Sequence, residues 1–137
     1  MAEGNHASRL LEVSGLSVDF RAASGEVRVV HDVSFAIRPG EKFALVGESG
    51  SGKTVTALAV LRLNADARHA GSIRFDGREL LALPERELRG IRGREIAMVF
   101  QEPMTAFNPL YSIGDQICES LERHEGLSRR QASVRAI

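Results

Sequence analysis

The sequence has a single cysteine, no tryptophan and no net charge, since 18 lysines and arginines balance 18 aspartates and glutamates. One cysteine excludes an intrachain disulfide framework and a metal site built from several thiolates. The balanced charge provides no basic field that would favour nucleic acid or an anionic membrane surface. No apolar run approaches the roughly 18 to 20 residues that span a bilayer, and the first residues lack the layout of a secretory signal. We therefore expect a cytosolic chain that reaches a membrane only through a partner.

The composition is that of an ordinary globular domain. The chain has 137 residues, of which 43% are apolar and 26% charged. Its four histidines show no metal-ligand spacing, and Cys118 lies in a helical pattern that predicts a buried structural thiol. Arginines cluster between residues 86 and 94, but glutamates interleave with them, which favours a solvated helix face over a binding patch.

The most informative segment is residues 47–54, which directly follow the apolar residues 43–46. It matches the pattern G-x-x-x-x-G-K-[ST] of a phosphate-binding loop between a strand and a helix. The predicted ligand-binding residues are Gly47, Glu48, Ser49, Gly50, Ser51, Gly52, Lys53 and Thr54. A Gly/Ser-rich turn is the alternative, but the apolar, helix-compatible residues 55–63 that follow supply the context that the motif requires.

The residue types in this loop fit the chemistry of a triphosphate. Glycines allow backbone N–H groups to wrap the phosphate oxygens, because they adopt positive φ without strain. Lys53 can place its ammonium at the β- and γ-phosphates, and the Thr54 hydroxyl can coordinate Mg²⁺. The start of the following helix also favours anions.

The hydrophobic pattern predicts an α/β chain. Alternation over residues 10–20, resumed at residues 27–30 and 33–37, predicts an antiparallel sheet ahead of the loop. Further strands are expected at residues 42–46, 72–75 and 96–100, and helices at residues 55–63 and 83–88. Ser112 and Ser128 have the spacing of N-caps that open helices at about Ile113 and Arg129. Residues 64–71 are expected to be a polar connection.

Gln101 follows the predicted strand 96–100 and precedes a proline-marked segment. Its amide can therefore point out at the carboxyl end of a strand, where open α/β sheets bind ligands. A neutral amide oxygen there could complete Mg²⁺ coordination or orient a water. A glutamine that simply ends a strand is the alternative, and the spacing alone does not decide between them.

Taken together, residues 47–54 and 96–110 resemble the ATP-binding subunit of ABC transporters, in particular the bacterial dipeptide and oligopeptide importers, including microcin C-type peptide transporters. The resemblance runs from about Leu10 to the end of the chain. It implies an α/β fold, a P-loop NTPase of the ABC nucleotide-binding-domain type, incomplete and with an N-terminal antiparallel β subdomain. Residues 1–9 are then a tail, and residues 10–137 the N-terminal part of the domain.

The resemblance also implies roles for individual residues. Residues 47–54 match the Walker A loop, which binds ATP with Mg²⁺. Gln101 matches the catalytic Q-loop glutamine, which senses the γ-phosphate and Mg²⁺. Phe20 matches an aromatic residue that stacks on adenine, although its register with Leu16 and Val18 also suits a core residue.

Partners follow from the same resemblance. Residues 102–111, from Glu102 to Tyr111, match the region that touches the transmembrane permease subunits. A second nucleotide-binding domain would complete the ATP sites in a dimer, and a solute-binding protein would take part indirectly. This places the protein at the cytoplasmic side of the inner membrane, with no role for nucleic acid.

Several family motifs do not occur in the 137 residues: the apolar strand ending in Asp-Glu, called Walker B, the Leu-Ser-Gly-Gly-Gln-like signature and the switch histidine. Two functions therefore stay open. The chain is either the N-terminal portion of an ATPase subunit that energises peptide import, or a truncated non-catalytic fragment that binds nucleotide weakly or is nonfunctional. A small P-loop GTPase is less favoured because the Asn-Lys-x-Asp guanine motif is missing, and a small P-loop kinase because nothing in the sequence marks a phosphoryl-acceptor pocket.

Overall fold

The computed structural model describes residues 9–23, 25–101 and 107–137. The chain divides into two units, Met1–Arg89 and Gly90–Ile137. Among the described residues, no helix has the length and apolar character needed to cross a membrane.

The first unit is built on a four-stranded antiparallel sheet with the strand order β2-β1-β3-β4. The strands are β1 (Leu11–Ala22), β2 (Gly25–Ile37), β3 (Ala67–Phe75) and β4 (Arg78–Glu79). The predicted antiparallel pairing of the first two strands is confirmed. β3 begins earlier than predicted, at Ala67, because its first residues pair with the end of β1, where Ala67 faces Phe20.

The core of this unit lies between the sheet and helix α1 (Lys53–Val60), which packs against β1 and β2. Burial of β-branched and aliphatic side chains stabilises the sheet, since each fully buried one contributes roughly 1.5 to 3 kcal/mol. The helix adds buried residues at Thr56, Ala59 and Val60. The fully buried sheet residues are Val13, Leu16, Val18 and Ile73.

The long strands are interrupted by bulges. β1 has one residue more than β3 between the pairs Ser14–Ser72 and Ser17–Ala70, so that Gly71 faces the extra residue. A Cβ atom at Gly71 would lie 2.7 Å from the Ser14 carbonyl oxygen and closer still to that of Gly15. Gly71 also has φ +96°, so the close approach of β1 and β3 requires glycine here both for space and for backbone conformation.

The predicted strands at residues 42–46 and 96–100 are wrong for the described structure. Neither segment is assigned as a strand, apart from an isolated bridge between Arg92 and Ile96. Val46 is 87% exposed and Val99 97% exposed. A strand exists only through hydrogen bonds to neighbouring strands, and the described residues provide none along these segments.

The helix predicted at residues 83–88 begins and ends slightly later in the sequence, and the two helices that follow it begin at their predicted N-caps. α2 (Glu85–Ile91) begins just after Pro84 and carries the exposed arginines at 86 and 89, with Arg89 paired to Glu85 at 3.6 Å. α3 (Ile113–Glu125) begins at Ser112, whose hydroxyl accepts a hydrogen bond from the Asp115 amide at 3.1 Å. α4 (Arg129–Arg135) begins with a capping box in which Ser128 and Gln131 satisfy each other's backbone N–H groups. Cys118 of α3 is buried, as predicted.

Glu79 ties β4 to β3 through its carboxylate. The carboxylate accepts hydrogen bonds from the Ser72 hydroxyl, from the Ile73 amide at 3.0 Å and from the Leu81 amide at 3.2 Å. Burial alone would raise the pKa of this carboxyl, but the three hydrogen bonds and the nearby charge of Arg74 together outweigh burial and hold it below its ordinary value of 4.5. The ionised form is therefore favoured in the folded chain.

Gly71→Ala is expected to destabilise the first unit by about 2 to 4 kcal/mol, because the methyl group meets the β1 backbone at a strained φ. Gly77→Ala is the matched control, since Gly77 also has positive φ (+76°) but has nothing within 4 Å of its Cβ position. The control should cost about 1 to 2 kcal/mol. Urea unfolding of both variants measures the difference, and equal losses would contradict the close approach of β1 and β3.

Glu79→Gln should lower the free energy of unfolding by about 1 kcal/mol at neutral pH, because a neutral amide accepts these hydrogen bonds less strongly than a carboxylate. The folded pKa of Glu79 is depressed, so its contribution is present above pH 4.5 and is lost as the pH falls below that value. The free energies of unfolding of parent and variant, measured at several pH values, should therefore become equal in acid. A difference that stays constant down to pH 3 would show that the charge of Glu79 does not contribute.

Candidate functional site

The predicted phosphate loop leads directly into helix α1. Gly52 is the N-cap of the helix and has a left-handed conformation, with φ +86°. Its carbonyl oxygen accepts hydrogen bonds from the Thr56 amide at 2.8 Å and from the Thr56 hydroxyl at 2.9 Å. No side chain caps the start of α1. The first amides of the helix, at Lys53, Thr54 and Val55, are therefore the ones that have no carbonyl partner within the helix.

Lys53 holds the two ends of the loop together. Its ammonium donates hydrogen bonds to the Gly47 carbonyl at 2.7 Å, to the Glu48 carbonyl and to the Ser51 hydroxyl at 3.2 Å. A single turn is closed inside the loop by a hydrogen bond from the Ser51 amide to the Glu48 carbonyl at 3.3 Å. The charged end of Lys53 thus lies over the loop itself.

The three glycines of the loop are required for different reasons. A Cβ atom at Gly47 would lie 2.7 Å from the Ser51 hydroxyl oxygen. Gly50 has φ +80° with open space around its Cβ position. At Gly52, a Cβ atom would lie 3.0 Å from the Val29 carbonyl oxygen of β2, in addition to its positive φ.

A cavity of about 200 Å³ lies at the start of α1, lined by residues 50–55 and by Val29. Pockets that enclose a drug-sized ligand usually measure roughly 300 to 1,000 Å³. This cavity is therefore large enough for a phosphate chain but not for a whole nucleotide. Val29 was missed by the sequence analysis, because nothing in the local pattern of β2 marks a residue that reaches the loop through the fold.

The donor set fits a phosphate group and, with it, a magnesium ion. The ammonium of Lys53 and the first amides of α1 are hydrogen-bond donors on one side of the loop, and the helix dipole favours negative charge there. Thr54 is exposed at the same place. No group of three or more His, Cys, Asp or Glu side chains is arranged to hold a metal within the residues that the structure describes. A magnesium ion would accordingly share its oxygen ligands between Thr54, phosphate and water.

Phe20 lies near the end of β1 and is partly buried. It faces Val27 of β2 and Ala67 of β3 in the sheet. It does not line the cavity at the loop. Its predicted stacking on adenine stays a prediction.

Gln101 belongs to the second unit, where it is exposed at the end of the unpaired residues 97–100. Its predicted contact with Mg²⁺ and the γ-phosphate stays a prediction. The following residues 102–106, the first half of the predicted permease contact, lie outside the described residues. The second half, residues 107–111, is exposed, with Leu110 at 86% and Tyr111 at 62%.

Two open depressions of about 460 and 430 Å³ lie along α3 in the second unit. They share Gln116 and Glu119. The first is lined on its apolar side by Phe107, Ile117 and Leu121, and the second includes Tyr111. Phe107 and Tyr111 therefore contribute apolar surface next to α3.

Comparison with known proteins identifies the family of the chain. The profile of the ABC transporter family matches residues 30–136. Over 130 residues the chain is 54% identical to a protein of Brucella abortus named "Putative peptide import ATP-binding protein", covering 93% of this chain and 39% of that protein. It is 48% identical over 127 residues to the oligopeptide transport ATP-binding protein OppD of Salmonella typhimurium, covering 92% of this chain and 38% of that protein.

The chain thus spans about two fifths of the length of these relatives. The matched region contains the phosphate loop, α1, Gln101 and helices α2 to α4. With a family match over most of its length and a loop geometry suited to phosphate, the chain belongs to the ABC transporter ATP-binding family.

Proposed function

We propose that the chain binds Mg-ATP through residues 47–54, as part of the ATP-binding component of a peptide importer. The observation that carries this proposal is the arrangement of Lys53 at the start of α1. Lys53, the left-handed Gly52 and the uncapped first turn of the helix line one small cavity, and the lysine ammonium is held by the same loop.

Each residue has a distinct task in this proposal. The first amides of α1 donate to the phosphate oxygens, and Lys53 neutralises the negative charge of the β- and γ-phosphates. Thr54 supplies one oxygen to Mg²⁺, and Gln101 supplies an amide oxygen to the same ion or orients a water. Phe20 provides a ring against adenine. In the complete protein, nucleotide hydrolysis would then drive transport.

The partners proposed are the permease subunits, a second nucleotide-binding domain and, indirectly, a solute-binding protein. The names of the relatives support peptides as the transported solute. Exposed apolar side chains at Phe107, Leu110 and Tyr111 support a protein contact in the region 102–111. Docking to a permease would place the protein at the cytoplasmic side of the inner membrane.

The alternative is a non-catalytic piece that binds nucleotide weakly or not at all. The exposed segment 43–46 favours it, because this segment leads directly into the phosphate loop and has no strand beside it among the described residues. A loop supported on one side only is less constrained, and its affinity for phosphate falls accordingly.

Lys53→Ala should abolish measurable Mg-ATP binding by the 137-residue chain, since it removes the only ammonium that lies over the phosphate loop in the described structure. Isothermal calorimetry measures the dissociation constant. Lys42→Ala is the matched control, because Lys42 is an exposed lysine that precedes the loop by a few residues. Unchanged affinity in Lys53→Ala would refute binding at this loop, and absence of binding by the parent would favour the alternative.

Gln101→Ala should leave the Mg-ATP affinity of the chain within about threefold of the parent, because its amide adds no charge to the phosphate site. In the assembled transporter the same change should slow transport-coupled ATP hydrolysis, measured as phosphate release. A loss of affinity as large as that of Lys53→Ala would instead assign Gln101 a role in binding.

A further inference from the structure

The strand β2 touches the phosphate loop from outside the sequence motif. Gly52 lies against two consecutive residues of β2: its Cβ position is 3.0 Å from the Val29 carbonyl oxygen and 3.3 Å from the Val30 Cγ2 atom. Both distances are shorter than ordinary van der Waals contact. Val29 also lines the cavity at the start of α1.

A β-bulge brings Val29 to this place. In the pairing of β1 with β2, Val18 faces Val30 and Asp19 faces Arg28, so Val29 is an extra residue on β2. A bulge bends its strand and redirects the backbone groups of the extra residue. Here the redirected residue is the one whose carbonyl lies against Gly52.

Gly52 in turn determines how α1 begins. It is the N-cap and has a left-handed conformation, and the first residues of the helix, 53–55, line the cavity beside it. Its carbonyl is held by the Thr56 amide and hydroxyl. A contact that limits the movement of Gly52 therefore limits the direction of the phosphate-binding amides.

We propose that the contact of β2 with Gly52, made by the Val29 bulge and the Val30 side chain, positions the phosphate loop for its ligand. Val29 is thus a positioning residue that acts through Gly52. The part of this inference that concerns Mg-ATP rests on the function proposed above. The part that concerns Gly52 does not, and it can be measured without nucleotide.

Deletion of Val29 is the sharpest test. It removes the bulge while Val18 still faces Val30 and Asp19 still faces Arg28, so the β1–β2 pairing becomes continuous. We expect the Thr56 amide, which donates to Gly52, to exchange with solvent about tenfold faster or more. The Leu80 amide, which donates to the Ile73 carbonyl at 2.7 Å, should be unchanged and reports on the sheet. The Mg-ATP dissociation constant should rise about tenfold or more.

A pair of glycine substitutions tests the contact itself. In the parent, Gly52→Ala should speed Thr56 exchange through both strain and the clash with β2. Without Val29 the closer of the two contacts is gone and only the one with Val30 remains, so the effect of Gly52→Ala should shrink at least about threefold. Gly50→Ala is the matched control, because Gly50 also has positive φ but open space around it. Its effect should be the same in both backgrounds.

The outcomes separate this inference from the proposed function. Unchanged Thr56 exchange on deletion of Val29, or equal effects of Gly52→Ala in both backgrounds, would overturn it. Failure of the parent to bind Mg-ATP would refute nucleotide binding, while the exchange measurements would still decide whether β2 positions Gly52. If deletion of Val29 also speeds exchange of the Leu80 amide, the variant Val30→Ala is used in its place. A smaller effect of Gly52→Ala on Thr56 exchange in the Val30→Ala variant than in the parent supports the contact, and an equal effect overturns it.

Discussion

The pairing of β1 with strands on both of its sides is the interaction on which the first unit depends. β1 is hydrogen-bonded to β2 along one edge and to β3 along the other, and its inward side chains Val13, Leu16 and Val18 form the centre of the core. Because backbone polar groups must be paired when they are buried, this strand determines where both neighbours lie. Helix α1 and the phosphate loop are placed by packing on the sheet that results.

Bulges change how the long strands β1 and β2 contact their neighbours at different positions along their length. A regular strand of 12 or 13 residues would present the same alternation throughout. The irregularity near Gly15 changes the register of β1 with β3, and the two strands approach closely enough there to require Gly71. The irregularity at Val29 changes the register of β1 with β2 and brings β2 against the loop. Of these two irregularities, the one at Val29 is where the sheet contacts the predicted phosphate loop.

The sequence predicted the local features well and the long-range ones less well. The start of a helix at the end of residues 47–54, the caps at Ser112 and Ser128, and the burial of Cys118 depend on short spacings, and the structure agrees with each of them. The strands at 42–46 and 96–100 were predicted from apolar runs, but an apolar run does not specify a neighbour. The early part of β3 and the contribution of Val29 were missed because both arise from pairing with β1, which no local pattern records.

Lys53 already makes three hydrogen bonds within its own loop, to the Gly47 and Glu48 carbonyls and the Ser51 hydroxyl. A free lysine side chain loses roughly 1.5 to 2 kcal/mol of rotamer entropy when it is fixed in one place. In this chain that loss accompanies folding, so a phosphate that arrives at the loop meets an ammonium whose freedom is already restricted. In the proposed binding of phosphate, the lysine would exchange neutral acceptors for charged ones, and this step is expected to be driven mainly by enthalpy.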